Sequence, residues 1–135
     1  MTRTDTLHAT MPLCATLRMR ALSMSADMVE LELDWDPSVC TSNTVMHGGA
    51  LMALADSAGG ACAFENLPEG AVGTSTIESK TNFLGAVTGG TVRATSRPLH
   101  VGSTTIVVET EIRRVSDNRL VVKTTQTQAV LRPRT

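Results

Sequence analysis

Two features near the middle of the chain have residue types and spacing that could do chemistry. The first is His47-Gly48-Gly49, and the second is the carboxylate of Asp56, nine positions after the histidine. A helix that begins at Gly48 presents backbone N–H groups without intrahelical acceptors, and these groups attract negative charge. Because glycine lets a ligand oxygen come close, this helix start could form an oxyanion hole that polarises a carbonyl group.

The segment from Gly48 to about Glu65 predicts the helix that positions these groups. At 100° per residue, the side expected to face a sheet carries Leu51, Leu54, Ala58 and Cys62. The opposite side is a stripe of small residues with one acid, consisting of Gly49, Ala53, Asp56, Gly60 and Ala63. Glycines inside a helix cost about 1 kcal/mol each relative to alanine. The Gly59-Gly60 pair therefore indicates either a closely approaching backbone or room for a ligand beside Asp56.

Asp56 is the residue to which we assign the main chemical role. Its helical neighbours are apolar, so we expect a buried or half-buried carboxylate that needs a partner or a catalytic task. For His47 we favour a structural role, a hydrogen bond to backbone, over direct acid–base work. Asp56 lies roughly 12 Å beyond Gly48 along the helix axis, so one substrate carbonyl cannot contact both residues on one helix. A site containing both would need antiparallel helices from a dimer at least.

The rest of the chain predicts a mainly antiparallel sheet within a single domain, residues 1–135. Residues 1–12 are expected to be a flexible or docking segment. Strands are predicted at 15–24, 28–36, 72–84, 91–99, 104–115 and 120–131, and the four after the helix could also be three with one bent. Because one helix accompanies strands that are connected mainly by hairpins, we predict an α+β fold with the sheet wrapped on the helix.

Composition excludes several classes of function. The 135 residues include 12 basic and 13 acidic side chains and only three aromatic ones, Trp35, Phe64 and Phe83. Nucleic-acid modules need aromatic platforms and a basic surface, so no nucleic-acid partner is expected. No apolar run reaches the roughly 18 residues of a membrane span, and no signal segment is visible, so no membrane partner is expected. Three widely spaced cysteines without a metal-ligand pattern indicate reduced thiols in a cytoplasmic protein that binds no metal.

The segment HGGALMALADSAGGA, preceded by Asn43 and followed by TNFLGAVTGGTVRA, resembles the hotdog-fold acyl-CoA thioesterases of the phenylacetate-degradation (PaaI-like) type. This group includes one kind of 4-hydroxybenzoyl-CoA thioesterase. The resemblance covers about residues 28–131 and rests on His-Gly-Gly with an acid nine positions after the histidine, supported by Phe83-Leu84 and Gly90. It implies a long central helix wrapped by a curved antiparallel sheet. It also implies hydrolysis of an aryl- or medium-chain acyl-CoA and a homodimer at least, with a dimer of dimers expected. No cofactor is implied, since CoA is part of the substrate.

Carried over residue by residue, the resemblance implies roles for the positions that match. The Gly48 amide polarises the thioester carbonyl, and Asp56 of the partner subunit acts as nucleophile or as general base for water. His47 shapes the turn at the helix start. Thr76 has the position of a hydroxyl that helps to hold water in some relatives, with a plain strand threonine as the alternative. We assign to substrate binding Gly49, Gly60, Phe83, Arg93 and Arg97.

The two arginines are included because the charge is unevenly distributed. Residues 1–79 carry 3 basic and 10 acidic side chains, whereas residues 80–135 carry 9 basic and 3 acidic ones. The 3′-phosphate and diphosphate of CoA favour arginine and lysine. For each basic residue taken singly, a solvated charge at a strand edge is the alternative.

The sequence departs from the resemblance just before His47. Relatives often carry Asn or Gln six residues before the histidine, where this chain has Thr41, and Asn43 lies four residues before it. Either Asn43 or Thr41 could fill that role. The glycine that is usual three residues before the histidine is Thr44 here.

Two other functions stay open, and a third is disfavoured. The chain could be a non-catalytic acyl-CoA-binding hotdog oligomer. It could also be a hotdog dehydratase or hydratase that uses His47 and Asp56 on a β-hydroxyacyl chain. A serine or cysteine hydrolase is disfavoured, because Ser57 lacks the G-x-S-x-G setting and Cys62 has no evident histidine partner.

Overall fold

A 17-residue helix lies against one face of a six-stranded antiparallel sheet. The computed structural model describes residues 1–134. In chain order the elements are α1 (Arg3–Thr10), α2 (Pro12–Thr16), β1 (Arg20–Met24), β2 (Val29–Asp34), α3 (Gly48–Phe64), β3 (Gly73–Phe83), β4 (Thr91–Val101), β5 (Thr105–Arg114) and β6 (Leu120–Leu131). The strand order is β1-β2-β4-β5-β6-β3, so β1 and β3 are the edges of the sheet.

The core lies between α3 and the inward face of the sheet. Leu51, Leu54, Ala58 and Cys62 of α3 are at most 3% exposed, which confirms the predicted sheet-facing side of the helix. The opposite stripe is confirmed only in part. Ala63 lies at the border of that stripe in the helical projection, and it is fully buried in the core.

The N-terminal segment forms two short docked helices and is not frayed. Thr2 and Asp5 exchange side chain–backbone hydrogen bonds in a capping box that starts α1. Leu7 of α1 and Cys14 of α2 are both fully buried, so each helix contributes to the core.

The predicted strand at 15–24 is wrong in its first half. Pro12 is compatible with the first turn of a helix, and α2 runs as far as Thr16. Arg18 then has a φ of 60°, which interrupts any extended backbone, and β1 begins only at Arg20.

The other predicted elements are confirmed, with boundaries within two residues. The α+β class is therefore confirmed, and one long helix wrapped by a curved antiparallel sheet is the hotdog fold. Within residues 1–134, no helix is both long enough and apolar enough to cross a membrane.

Candidate active site

The start of α3 leaves one backbone amide free. His47 is the N-cap residue, and its Nδ1 accepts a hydrogen bond from the Gly49 N–H at 2.7 Å. Its carbonyl oxygen accepts from Ala50 at 3.0 Å and from Leu51 at 3.1 Å. Within residues 1–134 the Gly48 N–H has no acceptor. His47 therefore has the structural bond favoured from the sequence, and the unpaired amide belongs to the residue expected to polarise a carbonyl.

Phe83, at the end of β3, packs against this helix start. A Cβ added to Gly48 would lie 3.3 Å from the Phe83 ring, so the two residues predicted from the sequence are in contact. A Cβ added to Gly49 would lie 2.9 Å from His47 Nδ1. Glycine at position 49 therefore leaves the room that the His47 side chain needs to cap the helix.

The loop before α3 has an unusual backbone. Asn43 and Thr44 have φ values of 61° and 59°, a region that is rare for a β-branched residue. Trp35 Nε1 donates to the Thr44 carbonyl oxygen at 2.9 Å and ties the loop to the end of β2. The left-handed backbone explains why glycine suits the position of Thr44. The side chains of Thr41 and Asn43 are both exposed, and which of them serves the site stays a prediction.

Asp56 is exposed, so the expectation of a buried carboxylate is wrong. It lies on an exposed flank of α3, next to Gly60, where an added Cβ would meet no atom within 4 Å. Nevertheless, Asp56 Oδ1 accepts a hydrogen bond from Gln126 Nε2 at 2.6 Å, and Gln126 on β6 is fully buried. Asp56 Oδ2 has no hydrogen-bond partner within residues 1–134. One carboxylate oxygen is therefore held and the other is open.

A β-bulge in β3 brings Thr76 into the same polar cluster. The pairing of β3 with β6 shifts between Thr76 and Glu78, which leaves Ile77 as the extra residue. Thr76 Oγ1 accepts from Gln128 Nε2 at 2.7 Å and from Gln126 Nε2 at 3.3 Å. Because both bonds use the hydroxyl as an acceptor, its proton remains available to a further partner. These bonds place Thr76 in the polar cluster around Asp56, and its role in holding water stays a prediction.

A cavity of about 500 Å³ opens beside Asp56. Polar groups line one part of it, including Asp56, Thr76 and Gln128. Apolar groups line the remainder, among them Met11, Met24 and Phe64, and Gly60 leaves room in the wall. Met11 follows α1, so the docked N-terminal segment forms part of this wall.

The structure does not bring Arg93 and Arg97 together with these groups. Both alternate along β4 with buried residues, so they lie on the sheet face opposite α3. Arg93 is bonded to Glu32 at 2.7 Å and 2.9 Å, so its charge is already paired. Arg97 is exposed on the same outer face.

Cys62→Ala is expected to leave the thioester hydrolysis that the resemblance implies within about twofold of the wild-type rate. Burial raises the pKa of the Cys62 thiol to about 11, so the nucleophilic thiolate is scarce at neutral pH. The side chain is also fully buried on the sheet-facing side of α3. Hydrolysis rates of the two proteins, measured with and without a thiol-alkylating reagent, check this. A loss greater than tenfold in the variant, with its melting temperature unchanged, would point to a cysteine hydrolase.

Gln126 and Gln128 are the site residues that the sequence reasoning missed. Both lie in the segment TTQTQAV, where they alternate with Thr125 and Thr127. The two glutamines are on the same face of the strand as the buried Val122, and the two threonines are on the other face. Two amide side chains on the inward face of a strand are unusual enough to serve as a signal. Their partners, Asp56 and Thr76, are 50 or more residues away in the chain, so the contact itself could not be read from the sequence.

Comparisons with known proteins agree with this architecture. The chain is 40% identical over 70 residues to "Putative esterase ComA2" of Bacillus subtilis, covering 50% of this chain and 53% of that protein. The match thus spans about half the length of that relative. Among solved structures, conserved protein PA5202 of Pseudomonas aeruginosa is 30% identical with a TM-score of 0.79, covering 88% of this chain and 93% of that one.

A further solved structure is named for an activity. A thioesterase family protein from Silicibacter pomeroyi is 26% identical with a TM-score of 0.86, and the match covers 96% of each chain. In addition, residues 43–121 match the sequence pattern of the thioesterase superfamily, a stretch that includes α3, the cluster residues Asp56 and Thr76, and β3 to β5. This match supports hydrolysis of an acyl thioester in general terms. The chain belongs to the thioesterase superfamily.

Proposed function

We propose that this chain hydrolyses acyl-CoA thioesters, releasing a free carboxylic acid and CoA, as a PaaI-like member of the superfamily. The observation that carries the proposal is the Asp56 carboxylate, which is held through Oδ1 and open through Oδ2 at the wall of a cavity. Coenzyme A is part of the substrate, and the proposed reaction uses no cofactor.

The free amide at the start of α3 is suited to bind the carbonyl oxygen of the thioester during this reaction. When an oxygen nucleophile attacks a thioester carbonyl, negative charge develops on the carbonyl oxygen. The Gly48 N–H and the positive end of the α3 dipole would stabilise that charge. Cleavage of the carbon–sulfur bond then restores the carbonyl group and releases the thiolate, which takes up a proton.

Two routes are available to Asp56. As a general base, it takes a proton from a water molecule while the water oxygen attacks the carbonyl carbon. As a nucleophile, its oxygen forms a mixed anhydride and releases CoA, and water then cleaves the anhydride. Rapid-quench measurements distinguish the routes, because only the anhydride route allows a burst of thiol before the acid appears. Thr76, whose hydroxyl proton is available, would help to hold the water in either route.

The cavity beside Asp56 is suited to the acyl group. Its volume of about 500 Å³ and its wall of Met11, Met24 and Phe64 accommodate either an aryl ring or a medium-length alkyl chain. Gly60 supports this placement, because its missing side chain leaves open space next to the carboxylate.

The active unit is proposed to be a homodimer at least, with each site shared between two chains. Gly48 and Asp56 are separated by about two turns of α3, or roughly 12 Å, so a single chain cannot place both on one carbonyl. In an isologous dimer, Gly48 of one protomer and Asp56 of the other could converge, which would give two equivalent sites.

Strand β3 is the proposed dimer edge. It is 11 residues long, and within residues 1–134 it pairs with β6 alone and exposes Ile77 and Phe83, so its outer edge is open to another strand. Antiparallel pairing of two copies centred on Ser79 would set Glu78 of each chain opposite Lys80 of the other. The same pairing would bring the Phe83 end of one strand, which contacts Gly48, close to the Thr76 end of the other.

A dimer of dimers remains the proposed larger assembly. The outer face of the sheet carries ion pairs, such as Arg20 with Asp34 and Lys123 with Glu109. The helix side instead exposes apolar residues, including Leu13 and Met52. The helix side is therefore the better candidate for contact between dimers.

The CoA phosphates are proposed to bind basic residues of the second half of the chain. Arg119 is exposed, and its guanidinium donates to the Leu84 carbonyl oxygen at 3.2 Å, close to Phe83 and the start of α3. This makes Arg119 a better placed candidate than Arg93 or Arg97. A cytoplasmic location is proposed as well, because Cys14, Cys40 and Cys62 are all free thiols.

Release of free thiol from a panel of aryl- and alkyl-CoA thioesters tests the proposed function. We expect at least one substrate to give a kcat/KM of about 10⁴ M⁻¹s⁻¹ or more, the range typical of enzymes. Binding of several acyl-CoAs without thiol release would instead support the acyl-CoA-binding alternative. Hydration or dehydration of a β-hydroxyacyl-CoA with its thioester intact would support the dehydratase alternative.

A further inference from the structure

The inward face of β6 carries polar side chains where a purely structural strand would carry apolar ones. Thr124, Gln126 and Gln128 alternate on this face, and each is at most 2% exposed. Thr124 shares a hydrogen bond with Thr81 at 2.9 Å, and Gln128 donates to Thr76 at 2.7 Å. Gln126 alone reaches α3, where it donates to Asp56.

Gln126 is not optimised for stability. Its Oε1 is buried and has no hydrogen-bond partner within residues 1–134. A buried carbonyl oxygen without a partner loses its hydration and gains nothing in return, so an apolar side chain of similar size would be at least as stable here. The Gln126 side chain makes its hydrogen bonds through Nε2, which donates to Asp56 Oδ1 at 2.6 Å and to Thr76 Oγ1 at 3.3 Å.

The α3 sequence makes room for this amide. A Cβ added to Gly59 would lie 1.9 Å from Gln126 Oε1 and 3.2 Å from Val108 Cγ2, so no other residue fits while Gln126 keeps its position. A glycine in the middle of a helix is itself unfavourable relative to alanine. The close neighbour of Gly59 is thus a side chain and not the approaching backbone that was one explanation for the Gly59-Gly60 pair, whereas Gly60 borders the open cavity.

We propose that Gln126 is the positioning residue for Asp56. Its buried amide fixes Oδ1 of an exposed side chain and leaves Oδ2 free on the wall of the cavity. Gln126 acts through the groups that it holds, chiefly the carboxylate at 2.6 Å, and its bond to Thr76 Oγ1 is longer at 3.3 Å. The inference rests on the proposed role of Asp56, because a positioned carboxylate matters only if that carboxylate reacts.

Gln126→Met tests this role, with Thr124→Val as the matched control. Both variants remove a buried polar group from the same face of β6 and keep its approximate volume. Because a displaced catalytic group reacts slowly but leaves binding intact, we expect Gln126→Met to lower kcat by about 10- to 100-fold with KM within twofold. Its melting temperature should be no lower than that of Thr124→Val, whose kcat should stay within twofold of wild type. Equal kcat values for Gln126→Met and wild type would overturn the proposal.

Gly59→Ala perturbs the contact between Gln126 and Asp56 from the side of the helix. Its methyl group must displace the Gln126 amide, so we expect a lower kcat and a lower melting temperature. Gly60→Ala, whose methyl meets no atom within 4 Å, is the matched control for stability and should melt no lower than wild type. Adding Gln126→Ala to Gly59→Ala removes the crowded amide, so kcat should fall no further than in Gln126→Ala alone. If the kcat losses of Gly59→Ala and Gln126→Ala, each measured alone, multiply in the double variant, the two residues do not act through one contact.

Asp56→Asn measured alongside separates this inference from the proposed function. An active Asp56→Asn variant would mean that the proposed function fails, whatever Gln126 does. An inactive Asp56→Asn variant together with a fully active Gln126→Met variant would mean that only the positioning role fails.

Discussion

Asp56→Asn is expected to lower kcat for thioester hydrolysis by about 10²- to 10⁴-fold, the range that a positioned acid–base group contributes. The substitution removes the charge and the basicity of the side chain and leaves its size unchanged. The asparagine Oδ1 can still accept from Gln126 Nε2, so the side chain should stay in place. Thiol release from the best substrate of the panel, measured at saturating concentration, gives kcat directly.

Glu30→Gln is the matched control for this experiment. Glu30 is a carboxylate on β2 that accepts from Thr95 at 3.2 Å on the sheet face opposite α3. We expect this neutralisation to change kcat less than twofold and the melting temperature of Asp56→Asn to equal that of wild type within a few degrees. If Asp56→Asn kept wild-type kcat, water activation would have to come from another group, and the assignment of Asp56 would be wrong.

The part of this site that could be predicted is the part encoded locally. His47, Gly48 and Asp56 lie within ten residues on one helix, and helical geometry alone gave their separation and their sides of the helix. The exposure of Asp56 was mispredicted because apolar neighbours in the sequence do not reveal which side of a helix another element covers. The helix at α2 was missed because the strand pattern of residues 15–24 outweighed the effect of Pro12.

Contacts that depend on strand pairing could not be predicted from the sequence. The bulge at Ile77 decides which face Thr76 occupies, and a shift of one residue in the register of β3 would point it to the other side. Gln126 meets Asp56 only because the sheet topology packs β6 against α3. In the same way, whether Arg93 lies near the site depends on the face that it takes on β4.

Gly48→Pro and Asp56→Asn chains, each expected to have very low activity alone, are expected to regain activity when they are combined in one dimer. Gly48→Pro removes the free N–H and suits the first position of a helix, and His47 before it already has the extended backbone that precedes proline. Gly48→Ala keeps the N–H and places the same Cβ against Phe83, so it is the matched control for crowding. We expect kcat to fall about 10²-fold or more in Gly48→Pro and much less in Gly48→Ala.

The test is to co-express Gly48→Pro and Asp56→Asn chains with different tags and to purify the mixed species through both. If each site takes Gly48 from one chain and Asp56 from the other, one of the two sites in a mixed dimer has both groups intact and the other has neither. Activity should then recover to roughly a quarter to a half of wild type, depending on how dimers associate further. Light scattering establishes that the purified species is at least a dimer. No recovery in verified mixed dimers would mean that the two residues do not share a site across the interface, and an active monomer would contradict the shared-site arrangement directly.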